Sequence, residues 1–161
     1  MHNAQFIIMT DPETMLTPHF KLRELVTSTS HPEIYNVPAP LHVENLTRLC
    51  QWLEVLRKEY NDRYDDGTAS IRISSGYRSF RLNQAVGGAK DSNHLMGCAA
   101  DLRCIGLEQA LRYATILLDK FDEAHADFDE IAVERNLNIY WLHFAVRPKG
   151  NRRKVFLQVK R

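Results

Sequence analysis

The sequence predicts one α+β domain, a central antiparallel sheet with flanking helices. Three observations carry this expectation. Two segments repeat apolar residues at three- and four-residue steps, and several shorter ones alternate apolar with polar residues. No internal repeat, low-complexity tract or linker divides the 161 residues. A chain of that length buries a core without disulfides or oligomerisation, so a monomer spanning 1–161 is expected, with 1–15 as a poorly ordered N-terminal segment.

The first helix is expected over residues 40–62, where Leu46, Leu49, Cys50, Leu53 and Leu56 form one stripe and Pro40 suits the first turn. Asp65-Asp66-Gly67 marks the turn after it. ASIRISSGYR then alternates Ala69, Ile71 and Ile73 with Ser70, Arg72 and Ser74, a half-buried strand that delivers Ser75, Gly76, Tyr77 and Arg78 at its end. Ser79 caps a short helix, RLNQAV, which stops at Gly87-Gly88.

GCAADLRC alternates again, with Cys98, Ala100, Leu102 and Cys104 on one face and Asp101 on the other. Residues 107–121 form a second amphipathic helix through Leu107, Ala110, Leu111, Ala114 and Leu118. Strands follow at 128–134 and 139–146, joined by a short connection, and at 154–160.

Bulk charge narrows the partners. Lys and Arg number 21 against 20 Asp and Glu, so a net charge of +1 supplies no global field for nucleic acid or an anionic membrane, and neither is expected as a partner. The apolar run Phe6-Ile7-Ile8-Met9 is too short for a signal or a span and lacks a cationic segment before it, so the chain is expected to be cytoplasmic as synthesised. Three cysteines without C-x-x-C spacing argue against a disulfide framework, and Cys98 and Cys104 are expected in the core.

DSNHLMGCAADLRC, residues 91–104, sets His94 and Asp101 seven residues apart across Gly97, Ala99 and Ala100. A turn at Gly97 brings the two together, and the alanines carry no bulk to obstruct them. A catalytic zinc takes three protein ligands and leaves one position open. Among the other histidines, His143 alone stands within an apolar and aromatic strand, on the face of Trp141 and Ala145, where a polar group needs a partner. Spacing alone leaves two readings open: three ligands of one metal, or a core histidine beside a loop histidine and a turn aspartate.

SSGYRSFRLNQAVGGAKDSNHLMGCAADLRC (74–104) and YWLHFAV (140–146) together resemble the zinc D-alanyl-D-alanine carboxypeptidases and endopeptidases, the M15 peptidases, in their small single-domain bacterial and phage branch. The shared pieces are S-G-Y-R-S, L-N-x-A-V-G-G, S-x-H-x-x-G-x-A-A-D and a late W-L-H; LTPHFKLREL (16–25) and FDEI are similar too. The resemblance implies a hedgehog/D,D-peptidase-like fold and one zinc ion on His94, Asp101 and His143. It also implies Arg78 as the residue that orients substrate and stabilises the oxyanion, with Ser92 supporting the ligand loop; Arg78, Ser92 and Trp141 are the expected substrate contacts. The implied reaction is hydrolysis of an amide bond in a peptidoglycan peptide stem by zinc-bound water.

The general base departs from the pattern. Much of the family has a carboxylate three residues before the last histidine, where this chain has Tyr140, a poor base at neutral pH. The resemblance transfers the role to Glu134, while pairing of 128–134 with 139–146 puts Glu130 on the face of His143 as its rival. The alternative function is a catalytically weak or inactive zinc-containing module that binds the cell wall. As an active enzyme the chain is either a D,D-carboxypeptidase or an endopeptidase such as a phage lysin, reaching the wall by a separate release route. Lys149, Arg152, Arg153, Lys154, Lys160 and Arg161 gather in the tail, as solvated charge or as an attraction for an anionic wall polymer.

Overall fold

The computed structural model describes residues 11–65 and 67–160. The chain opens with a small ribbon of β1 (Met15–Thr17) and β2 (Phe20–Lys21), followed by α1 (Leu22–Val26). Of the 1–15 segment, residues 1–10 lie outside those described. Residues beyond them are tied down: Leu22 N–H donates to the Thr14 carbonyl at 2.9 Å and Arg23 N–H to that of Pro12 at 2.8 Å.

The expected apolar stripe forms α2 (Pro40–Tyr64), which starts at Pro40 and buries Leu46, Leu49, Cys50, Leu53 and Leu56. After the short α3 (Phe80–Ala85), capped by Ser79 as expected, the partner of α2 is α4 (Leu107–Glu123), which buries Ala110, Tyr113, Ile116, Leu117 and Phe121. Trp52 of α2 stacks on Phe121 with ring centroids 3.7 Å apart. Leu107 and Leu111, expected on this stripe, are exposed, and the buried face runs through Tyr113 and Ile116 instead. Ala110, Tyr113, Leu117 and Phe121 keep three- and four-residue steps and so set the face that packs inward, while Leu111 is rotated off it by one position and Leu107 is the first residue of the helix. Cys50, Cys98 and Cys104 are all buried free thiols.

Five strands form the main sheet in the order β3 (Arg72–Ser75), β4 (Ala99–Cys104), β6 (Ile139–Ala145), β5 (Glu130–Asn136) and β7 (Lys154–Lys160). The first four pair antiparallel as expected, but β7 runs parallel to β5, so the sheet is mixed. The cause lies in the connection: β6 ends at Ala145 opposite Glu130, and residues 146–153 cross the start of β5 to set Lys154 beside that same Glu130. β7 thus begins where β5 begins.

One sheet face carries Leu102, Leu142, Phe144, Ile131 and Val133 into the core beneath α2 and α4. Strand alternation sends Asp101, His143, Glu130 and Glu134 to the other face, away from the residues that pack beneath α2 and α4. The chemistry-bearing side chains therefore share a rigid, one-sided platform.

A candidate metal centre

His94 reaches that platform from a one-turn 3-10 helix, Asn93–Met96, placed just before β4. Ser92 Oγ accepts the His94 N–H at 3.3 Å and caps the turn, while Gly97 ends it at φ +69°, a left-handed conformation suited to glycine. Behind the ring, His94 Nδ1–H donates to the Gly76 carbonyl at 2.7 Å, which leaves the Nε2 lone pair toward Asp101. Gly76 itself is pressed against α1, where a Cβ would meet the Leu25 carbonyl oxygen at 2.3 Å.

Asp101 and His143 lie directly opposite each other on β4 and β6. Asp101 Oδ1 stands 2.9 Å from His143 Nδ1 and 3.4 Å from His94 Nε2. Donor atoms of the three residues all fall within 4.8 Å of one another. Ligands about 2.0–2.1 Å from a tetrahedral zinc are about 3.4 Å apart, so this donor set fits one ion. Its two imidazoles and one carboxylate are also the ligand types zinc prefers.

The electrostatics favour positive charge here. Burial opposes ionisation of Asp101, yet His94 and His143 hold its carboxyl well below the usual carboxylate range. Desolvation opposes the His143 imidazolium, but hydrogen bonds with Asp101 and Glu130 raise its pKa to about 9. Two carboxylates around one imidazole attract a cation, whether proton or metal.

Glu130 and Glu134 both share the open face, two residues to either side of the Ala132–His143 pair. They are held differently. Glu130 Oε2 lies 3.0 Å from His143 Nε2, and its Oε1 accepts from Arg152 Nη2 at 2.9 Å. The bond with His143 keeps the Glu130 carboxyl below its ordinary value. Glu134 is only 6% exposed, with Lys160 Nζ 3.1 Å from its Oε2. Tyr140 packs against the core, since three residues along a continuous strand place it on the face opposite His143.

Arg78 joins the cluster from the loop after β3. Its Nη2 donates to Asp101 Oδ2 at 3.0 Å and its Nε to Ser75 Oγ at 2.9 Å. Arg78, Ser92, Glu130 and Glu134 line one cleft of about 530 Å³ with the three putting-forth donors His94, Asp101 and His143. Trp141 stands outside that lining, opposite Arg103 and Glu134, with Lys160 Nζ 5.2 Å from its ring centroid.

A supporting clamp has no signature in the sequence. Asp129, fully buried, accepts from Arg152 Nη2 at 2.6 Å and Asn93 Nδ2 at 2.7 Å and is ion-paired with Arg147, whose Nε lies 3.2 Å away. Asn93 Oδ1 in turn accepts from Arg147 Nε at 2.7 Å, so the turn bearing His94 is tied to the start of β5. The tail charges are largely spent within the fold: Arg152 on Asp129 and Glu130, Arg153 on Asp122 and Asp127, and Lys160 on Glu134. Arg161 lies outside the described residues.

A sequence model described as Peptidase M15 matches residues 18–128, more than half of the chain. The span contains Arg78, His94 and Asp101 and stops short of Glu130, Glu134 and His143. No curated protein matches the chain.

Proposed function

The chain belongs to the Peptidase M15 family, and on that premise we propose that it is a zinc metallopeptidase hydrolysing an amide bond in peptidoglycan stem peptides, as a D,D-carboxypeptidase or an endopeptidase of lysin type. One observation carries the reading: His94, Asp101 and His143 converge in a cleft that also presents an arginine and a second, separately held carboxylate. A zinc ion held by those three residues would supply a Lewis acid and lower the pKa of water to about 7.

The protein side chains divide the remaining work. Arg78, fixed by Asp101 and Ser75, keeps further N–H donors for a substrate carboxylate or a developing oxyanion. Glu134 takes a proton from the attacking water and returns it to the leaving amine. Glu130 is a positioning residue: it receives His143 Nε2–H and so directs Nδ1 toward the metal. Tyr140 faces the core and has no part in the reaction.

The peptide stem is the proposed partner of a monomer. Among the described residues no helix is long and apolar enough to cross a membrane. Incubating the zinc-loaded protein with peptidoglycan and following release of D-alanine or of new amino termini tests the function. Bound zinc without cleavage of any stem peptide would refute it.

A further inference from the structure

We infer that the free edge of β3 is a subsite for an extended segment of the substrate peptide, ending on a carboxylate held by Arg72 and Arg103. This rests on the peptidase reading. β3 is the outermost strand and pairs with β4 alone. Among the described residues, the backbone of residues 70–75 makes no hydrogen bond on its other side. An extended peptide satisfies such an edge by adding a strand to it.

The edge opens into a trough that leads to the metal centre. A cleft of about 520 Å³ is lined by Ser70–Ser74 together with Thr27 and Thr29. A smaller one of about 150 Å³ shares Thr27, Thr29 and Ser74 with it and adds Ser75 and Arg78. Arg78 also lines the metal cleft, so the three clefts are neighbours that share lining residues.

The far end is basic. Arg72 and Arg103 stand directly opposite each other on β3 and β4, an arrangement in which like charges destabilise a sheet. Both line the larger cleft with Arg57, and none of the three guanidinium groups has an ion-pair or hydrogen-bond partner among the described residues. Facing them are Glu24, which accepts from the Lys21 N–H, and His19, which is paired with Glu54. Three arginines against the one glutamate lining the cleft leave it net positive, and a ligand carboxylate would neutralise it.

Distance sets where that carboxylate sits on the ligand. Ser75 pairs with the ligand Asp101, and from Ser75 to Arg72 the strand spans about 10 Å at about 3.3 Å per residue, so the anionic group falls about three residues along the strand from the metal side. A stem peptide that carries a free carboxylate on its second residue meets this spacing, and the same peptide with that carboxylate amidated does not meet the charge.

The test compares a stem pentapeptide with a free carboxylate on its second residue and the same pentapeptide with that carboxylate amidated. Binding is measured calorimetrically on the full zinc-loaded chain carrying Glu134→Gln, so that turnover does not interfere, and hydrolysis on the parent. The free-carboxylate peptide is expected to bind at least tenfold more tightly than the amide. Adding Arg72→Gln with Arg103→Gln reduces that ratio to twofold or less, while adding Lys149→Gln, a remote charge removal, preserves it. Unaltered thermal unfolding and zinc content confirm that the variants fold.

Equal affinity for both peptides, no binding of either, or a preference that survives the double substitution overturns the subsite. Carboxylate-dependent binding without cleavage of either peptide keeps the subsite and refutes the peptidase. Cleavage without any preference does the reverse.

Discussion

Asp101 Oδ1 lies 2.9 Å from His143 Nδ1, across a pair of strands whose residues are 42 positions apart in the chain. Because β4 and β6 pair residue against residue from Ala99–Ala145 to Cys104–Tyr140, this contact is set by the sheet ladder rather than by a mobile loop. A metal placed there is held on rigid elements, which keeps its ligands within the narrow geometry that binding demands.

The parent protein is therefore expected to hold one equivalent of zinc. His94→Ala, Asp101→Ala and His143→Ala should each lower its affinity at least tenfold, as measured by elemental analysis and competition with a chromogenic chelator. Full zinc retention in any of the three would remove that residue from the ligand set.

The two glutamates should separate by readout. Glu134→Gln is expected to lower kcat about 10²–10⁴-fold with zinc retained, as loss of a general base does. Glu130→Gln should instead weaken zinc binding about 10–100-fold, because it removes the acceptor that orients His143. Reversal of the two patterns would exchange their roles.

Asp129 ties three side chains to a fully buried carboxylate, so Asp129→Ala should cost about 2–4 kcal/mol in urea unfolding, by stranding Arg152, Arg147 and Asn93. Burial works against its charge, but bonds from Arg152 and Asn93 outweigh this and depress its pKa in the folded state. A depressed folded pKa means stability present at neutral pH and lost as pH falls below the ordinary carboxylate value. The stability gap between the parent and Asp129→Asn should accordingly narrow from pH 7 toward pH 3. A constant gap would show that the charge of Asp129 contributes nothing.

Gly76→Ala forces a methyl group to within 2.3 Å of the Leu25 carbonyl oxygen, where only backbone can give way. The expected loss is about 1–3 kcal/mol, with weaker zinc binding because the Gly76 carbonyl anchors His94 Nδ1. Thermal unfolding and a zinc titration check both effects; an unchanged zinc affinity would detach His94 from this anchor.

Much of the site was legible in the residues. Alternation in AADLRC already placed Asp101 opposite Leu102, and the isolated His143 in an apolar strand announced a buried polar group in need of a partner. The resemblance then joined His94 to both. What stayed hidden was how differently Glu130 and Glu134 are held. Both share one face by period two, and the contacts of Glu130 with His143, Arg152 and Asn93, against that of Glu134 with Lys160, distinguish them.

The sequence by itself determined the two long helices and the polar face of the strands that carry Asp101 and His143, because those properties follow from a periodicity of two or 3.6 within a single element. Only the tertiary structure decided the strand order β3-β4-β6-β5-β7, the parallel docking of β7, and the clamp that joins Asp129 to Arg152 and Asn93. Those depend on which distant segments meet, and a local pattern carries no record of its partner: pairing is settled by the shared core, the lengths of the connections and the charges that must be satisfied together.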